Sequence, residues 1–491
     1  MKRKIALLLA LLSAINIAAC GGTEKPSETT PPQTESDTTP VTTELTDGLP
    51  ETDMDGFSLN VLHHNDEWLT WAKTQMRSDE ENGELINDAI YKRNSYIEER
   101  FNCTLNIEEI KQTSTVFRSL VMSGSDEYDI IFQYGLHVLG NIDYLANLNN
   151  IPYLSLDEEW WNPAATEVFR VGDKQLAVAG NWTLSYLSGA TTYCFNKEIW
   201  ENVGGGMDLY KLVDDGKWTT DAYYEAAKLA PQDVNGDGKI VPGEDIIGMG
   251  GQAKGYWNTL IIGAGFRYVN FDEDHNPYFN LMGNEKMISF IQKIVDIESA
   301  NENIYPVTND MLTNKYRHNA GPATDFKSNQ NLFQHNMIFG IETNLRDMDV
   351  DFGILPAPKY DESQENYLSY ANIGEIATLP RSYDSSRAEN IGILLEAMSF
   401  YSQQNIVPAY KETVLQVKLS RDEDSARMLD YVFGNIVFDY GTVVWESYIT
   451  ETLISNYMMP RSSTLVSTVE SIGNTLESKI SDLLKSAADV P

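Results

Sequence analysis

With 491 residues and 42% hydrophobic side chains, the chain has the make-up of about two or three ordinary soluble domains. Its formal charge of −36 repels phosphate backbones and anionic lipid heads, which argues against a nucleic-acid partner. Three cysteines are too few for a disulfide framework, and without H-E-x-x-H or G-x-S-x-G neither a zinc peptidase nor a serine hydrolase has a motif to stand on.

The first nineteen residues carry a basic start (Lys2, Arg3, Lys4) and an apolar run ending in small residues, too short to span a bilayer comfortably. This reads as a signal peptide covering residues 1–19. The ending Ile17-Ala18-Ala19-Cys20-Gly21-Gly22 resembles the lipobox of bacterial lipoproteins, which implies cleavage before Cys20 and diacylation of its thiol. Acyl chains contribute ~0.8 kcal/mol per buried methylene, so a lipidated Cys20 implies attachment to the outer face of a cell membrane. Residues 20–53 are rich in Thr, Ser, Pro and Glu and poor in large apolar residues. They cannot bury enough surface to offset ordering and read as a disordered tether.

Phe57–Leu62 alternates as a strand and then breaks into His63-His64-Asn65-Asp66-Glu67-Trp68. Leu85, Ile86, Ala89, Ile90, Tyr96, Ile97 and Phe101 fall largely on one helical face; Thr104–Ile110 is the next strand, Val116–Met122 the next helix, and Tyr128–Phe132 a buried strand. This order predicts βαβ crossovers and a parallel sheet, with ligands at the carboxyl ends of its strands. Those ends are Asn65–Trp68 and Gln133-Tyr134, so Asp66, Trp68 and Tyr134 are candidate ligand contacts. In the middle, Leu176–Ala179 and Thr191–Phe195 are extended runs around a loop of Gly, Asn, Ser and Trp, and we read this stretch as crossing between two lobes. Beyond it the pattern predicts helices at Thr219–Leu229, Tyr256–Gly265, Asn284–Ile297 and Ala388–Tyr401, and another at the C-terminus through Val466 and Leu483. Strands are expected at Met337–Phe339, Asp351–Leu355 and Glu375–Leu379. Cys103 and Cys194 read as small buried hydrophobes.

Taken in order, YDIIFQ, GDKQLAVAGNWTLSY, TTYCFNKEIWENVG, KWTTDAYYEAAKLA, YWNTLIIGAG and DFGILPAPKYDESQENY resemble the extracellular solute-binding proteins of bacterial ABC importers, family 1, of the maltose-binding-like carbohydrate class. The resemblance implies an α/β, two-lobe periplasmic-binding-protein-like (type II) fold with hinge strands. Lobe 1 would hold residues 54–196 and about 376–405, and lobe 2 residues 197–375 and about 406–491. It also implies a non-catalytic, monomeric protein that captures a sugar or oligosaccharide and passes it to an importer permease.

A sugar offers C–H faces to aromatic plates and hydroxyl rims to amides and carboxylates. Trp68, Trp182, Trp257 and Trp445 stand at positions open to either a cleft or a core reading. The resemblance places Tyr256-Trp257 and the segment Ile341–Leu345 at ligand-facing positions, where Glu342, Asn344 and Arg346 lie. Arg346 in the cleft would favour an anionic sugar such as a uronate; otherwise it makes a surface ion pair. Two rival readings use the same acids and aromatics: a secreted polysaccharide-cleaving enzyme with cleft carboxylates, and a binder of peptides or other polar solutes.

The segment Asp233-Val-Asn235-Gly-Asp237-Gly238-Lys239 through Glu244 fits D-x-[DN]-x-[DN]-G-x5-E without a miss. Asp233, Asn235, Asp237 and Glu244 would offer side-chain oxygens and Lys239 its carbonyl to a structural Ca2+. His63-His64 reads as a loop pair rather than a metal site, and Gly248-x-Gly250 lacks the context of a dinucleotide loop.

Overall fold

A computed structural model describes residues 46–65, 74–203, 206–306, 320–371, 374–417 and 423–491, and the chain divides at Thr46, so that residues 47–491 hold all the architecture below. Cys20, the leader, most of the tether, Asp66 and Trp68 lie outside the described residues.

The first sheet is built as the alternation predicts. Strand β1 (Phe57–His64) leads to helix α1 (Leu85–Phe101), β2 (Cys103–Ile110), α2 (Ser114–Met122) and β3 (Ile130–Tyr134). Helix α1 buries Ala89, Ile90, Ile97 and Phe101. It ends at Asn102, whose left-handed backbone (φ 48°) returns its N–H to the Glu98 carbonyl, a conformation asparagine tolerates better than most residues. β1 pairs in parallel with β2 and with β3. A late strand returns to close the edge, discussed below as β8.

The second sheet begins at β4 (Thr191–Asn196), followed by α3 (Thr220–Ala227), β5 (Ile247–Gly250), α4 (Ala253–Gly263) and α5 (Glu285–Ala300). Thr219 caps α3 by accepting the Ala222 N–H, as its position before the periodic run predicts. Then come β6 (Asn331–Met337), α6 (Ile338–Asn344) and β7 (Phe352–Leu355), giving the order β7-β4-β6-β5. β4 is antiparallel to both β6 and β7, and β6 is parallel to β5. β4 is therefore the centre of the second sheet, and the change of sheet comes before Thr191 rather than after residue 196. The expected strand at Met337–Phe339 is corrected as well: the strand ends at Met337 and a helix starts at Ile338. β6 buries Asn331, Gln334, His335 and Asn336, polar residues that carry no apolar alternation to announce a strand.

Among the described residues three connections join the sheets. The first runs from Val178 to Ala190 and the second links Ala371 to Ala377, and the two are bridged at their ends. Val178 and Ala377 exchange backbone hydrogen bonds (3.0 and 3.1 Å), and Ala190 bridges Ala371 at the other end. Leu176–Ala179 is thus extended with one bridge at Val178 instead of a full strand. The second connection feeds β8 (Glu375–Thr378), which pairs antiparallel with β3 and completes the first sheet as β8-β3-β1-β2. The third connection is a single helix, α7 (Ala388–Val417), longer than the expected Ala388–Tyr401. Its first half buries Ile391, Leu394 and Met398 with the core of the first sheet, and its second half buries Ile406 and Tyr410 with the core of the second. Pro408 lies inside it; lacking an N–H, proline leaves the carbonyl one turn earlier without its helical partner and favours a bend there. Helix α8 (Leu465–Ala488) closes the chain with Leu465, Val469, Ile472, Leu476 and Leu483 buried.

Candidate ligand site at the crossing segments

The two antiparallel connections are held in register by small residues and one hydroxyl. Ser185 Oγ accepts the Glu375 N–H at 3.2 Å, and a Cβ on Gly374 would sit 2.5 Å from Ser185 Cβ. Only glycine permits that approach. Arg93 of α1 braces the same region from behind: it is fully covered and donates to the Trp182 carbonyl (3.3 Å) on the first connection and to Ser402 Oγ (3.0 Å) on α7. Burial without a carboxylate partner pulls its guanidinium down to about 9.

At the carboxyl end of the first sheet, β3 stops at Tyr134, and Gly135 donates its N–H to the Gly374 carbonyl at 3.0 Å. The residues that follow β3 pack against a short helix, Tyr440–Val444, belonging to the other half of the chain. That helix is capped by Asp439, whose carboxylate accepts the Thr442 N–H (2.9 Å) and the Tyr268 N–H (2.7 Å). Burial pushes the Asp439 carboxyl up to about 6. Just after the helix, Trp445 packs its ring 5.2 Å from Tyr440, and Glu446 forms a half-buried ion pair with Lys254 of α4 at 2.7 Å. Burial, with the Glu446 charge beside it, holds the Tyr134 hydroxyl well above the usual phenol range. Glu446, paired with Lys254, thus lies within electrostatic reach of Tyr134 at the end of β3, while Trp445 beside it in the chain is buried against Tyr440.

The other expected contacts are placed elsewhere. Tyr256 and Trp257 are fully covered on α4, with their polar atoms turned to Glu298 of α5: Tyr256 Oη donates at 2.9 Å and Trp257 Nε1 at 3.3 Å. Tyr224 adds a third donor at 2.7 Å. Trp182 is covered too, with edge contacts to Phe132 (5.6 Å) and Trp161 (5.1 Å). Glu342 is buried on α6 and accepts the Tyr410 hydroxyl of α7 at 2.6 Å, so it ties the second sheet to the third connection. Asn344 is half-buried at the end of α6 and Arg346 is exposed.

Close to the crossing lies a charged cluster that loop-like reading of the sequence missed. His63 and His64 are not in a loop; they end β1 and are buried. His63 Nε2 is 3.2 Å from Glu109 and Nδ1 is 3.8 Å from Glu375, ion-pair distances without hydrogen-bond alignment. Burial disfavours the imidazolium, but the two carboxylates outweigh it and raise His63 to about 9. His64, buried beside that positive charge, is lowered to about 4 and stays neutral. Glu375 accepts the His64 N–H at 2.8 Å through Oε1, while its buried Oε2 has no hydrogen-bond partner. The signal that could have found this cluster is the break in alternation at His63-His64; its partners come from 46 and 312 residues further on.

In the loop 233–244, Asp233 accepts the N–H groups of Gly236 (2.6 Å) and Gly238 (2.7 Å), Asn235 that of Asp237, and Asp237 that of Lys239. Glu244 is exposed and its N–H turns back to the Val241 carbonyl. Among the described residues no three His, Cys, Asp or Glu side chains are gathered as a metal site, so the loop is curled but its acidic end is not closed on it.

No protein-family model and no curated protein matches the sequence. Solved structures do match the fold. A cyclic alpha-maltosyl-1,6-maltose binding protein from Arthrobacter globiformis superimposes with a TM-score of 0.57 at 15% identity, over 87% of this chain and 100% of that one. An ABC substrate-binding protein from Listeria monocytogenes in complex with cycloalternan gives 0.51 at 13% identity, again over 87% and 100%. The two sheets, their connections and this likeness together make the architecture an α/β two-lobe fold of the periplasmic-binding-protein type.

Proposed function

We propose that the chain is a non-catalytic binding protein that captures a sugar or oligosaccharide between its two lobes and hands it to an ABC importer. The observation that carries this reading is the Lys254–Glu446 ion pair within electrostatic reach of Tyr134 at the end of β3, on a fold similar to structures that are, by their names, a maltosyl-maltose binding protein and a substrate-binding protein holding cycloalternan. The partly exposed Tyr134 ring, with an ion pair in reach of it, suits a sugar with a C–H face and a hydroxyl rim. Two backbone strings and a proline-containing helix are the kind of connection that absorbs rotation of one lobe against the other, so ligand binding would shift the population toward a closed form.

The test is isothermal titration across neutral and acidic oligosaccharides and peptides, followed by X-ray scattering with the best ligand. A saturable sugar isotherm with a smaller radius of gyration, and the sugar recovered intact, is the expected result. Cleaved sugar, or tight binding without a change in scattering, overturns it. Two further elements belong to the same proposal. Cys20 is the lipid anchor, so Cys20→Ala should release the protein from membranes. Calcium occupies the loop 233–244, supported by the complete motif and its curled backbone; chelation should lower the melting temperature, and an unchanged melting curve removes the ion.

A further inference from the structure

A cavity of about 350 Å3 opens between the helix Pro163–Val168 and the strands Val269–Phe271 and Pro277–Phe279 of the second lobe. It shares no residue with the site around Lys254 and Glu446. Its lining is mixed and more polar than apolar, with Ala164 and Val168 on one side, the aromatics Phe271, Tyr278 and Phe438 on the other, and Asn270 and Arg267 among them. Backbone contacts hold the two sides together: Gly172 donates its N–H to the His275 carbonyl at 3.2 Å, and His275 Nε2 lies 3.4 Å from the Glu167 carbonyl. A volume of this size accommodates a single pyranose.

Among those walls stands one cation, Arg267. Its Nη1 donates to the carbonyls of Ile262 (3.2 Å) and Phe266 (2.7 Å), and no carboxylate comes within ion-pair distance of it among the described residues. The buried Asp439 acts on it only from a distance, with both its oxygens already accepting backbone N–H groups. Glu167 lies on the rim with its side chain exposed, free to turn to water. The bonds to Nη1 fix the plane of the guanidinium and leave Nε and Nη2, the edge that takes a carboxylate through two parallel hydrogen bonds. Its countercharge is the buried Asp439, which lies beyond ion-pair distance, so the guanidinium has no direct carboxylate pair and keeps an edge open to one. The flanking aromatics supply plates for a sugar face.

We propose that this cavity binds a hexuronate, with its carboxylate on the Nε–Nη2 edge of Arg267 and its ring against Phe271 and Tyr278. The site does not depend on the reading of the interlobe site, since a ligand here touches none of the residues that carry that reading. The experiment is titration of the detergent-solubilised full chain with glucuronate, glucose and acetate, repeated on Arg267→Gln and on Ala164→Trp, which fills the cavity from the opposite wall. Glucuronate should bind, with glucose and acetate weaker by about tenfold or more, and each variant should lose the glucuronate signal. A variant that fails a circular-dichroism check of folding leaves the decision to the other. Glucuronate binding that survives in a folded variant, no glucuronate binding to the wild type, or glucose or acetate binding as tightly as glucuronate, each overturns the proposal.

Discussion

Glu298 in the second lobe and Glu375 in the first are both buried carboxylates, and burial holds both above the usual carboxylate range. Their surroundings differ. Glu298 is met by neutral donors, two tyrosine hydroxyls and an indole N–H, all from α3 and α4. Glu375 is met by one backbone N–H and by an imidazole that is useful to it only when protonated. The first arrangement is satisfied at any pH at which the fold exists; the second is conditional. The conditional one stands on the strand that enters the first sheet from a connection, where rigidity would bear most directly on the proposed movement between lobes.

The comparison breaks most visibly at Glu298. Replacing it by Ala strands three buried donors at once, and the loss should be about 3–5 kcal/mol in urea denaturation. Glu298→Gln keeps an acceptor oxygen and the side-chain volume, and should cost about 1 kcal/mol. If Ala and Gln cost the same, the hydrogen bonds around Glu298 do not hold the second lobe together.

The conditional side is probed by pH. His63 has a folded value of about 9 against an ordinary 6.5, so its contribution is complete below 6.5 and disappears as pH rises through 9. Glu375, raised by burial, works in the same direction, because its ionisation is opposed in the fold. Glu109 is lowered by His63, and its contribution fades only on the acid side. Stability should therefore fall by up to about 3 kcal/mol between pH 6.5 and 9.5, and His63→Gln should flatten that slope. A wild-type curve that is level across this window would show that the cluster is not charged.

Next in size is the contact that lets the two strings run together. Gly374→Ala puts a methyl group into Ser185, which has the first connection behind it, and should cost about 1–3 kcal/mol. Its signature is a weaker ligand isotherm at a fixed fraction folded. A double variant with Ser185→Gly removes both the opposing Cβ and the hydroxyl that accepts the Glu375 N–H, so a double variant that costs less than the sum of the two single ones would tie the effect to this approach.

How much of this was legible from residue order depends on how far apart the partners are. Strands β1, β2 and β4 and helices α3, α5 and α8 announce themselves through local period and caps. α7 was read only to Tyr401 because its apolar face changes partner where it passes from one core to the other. Tyr256 and Trp257 are assigned to ligand-facing positions by the family resemblance, and nothing local to them argues against it. On a helix covered on every face, as α4 is from Tyr256 to Gly263, periodicity cannot separate a core residue from a cleft residue. The buried carboxylates were invisible for another reason: Glu375 is one acid among seventy-two, and its burial is decided by a histidine more than three hundred residues earlier.

The smallest effect belongs to the pair nearest the proposed ligand, Lys254 and Glu446. Both are partly reached by solvent, at 32% and 21% exposure, so water competes with the 2.7 Å contact and salt screens it. Lys254→Ala should change stability by only about 0–1 kcal/mol, less still at high salt. Its weight is expected in binding instead, because a sugar hydroxyl entering beside Tyr134 would take its hydrogen bonds from groups that the pair holds in place. A loss of affinity without a loss of stability would separate this solvent-reached pair from the buried clusters on either side. The reverse result, a melting shift with an unchanged isotherm, would make Lys254 and Glu446 part of the scaffold and move the ligand away from the end of β3.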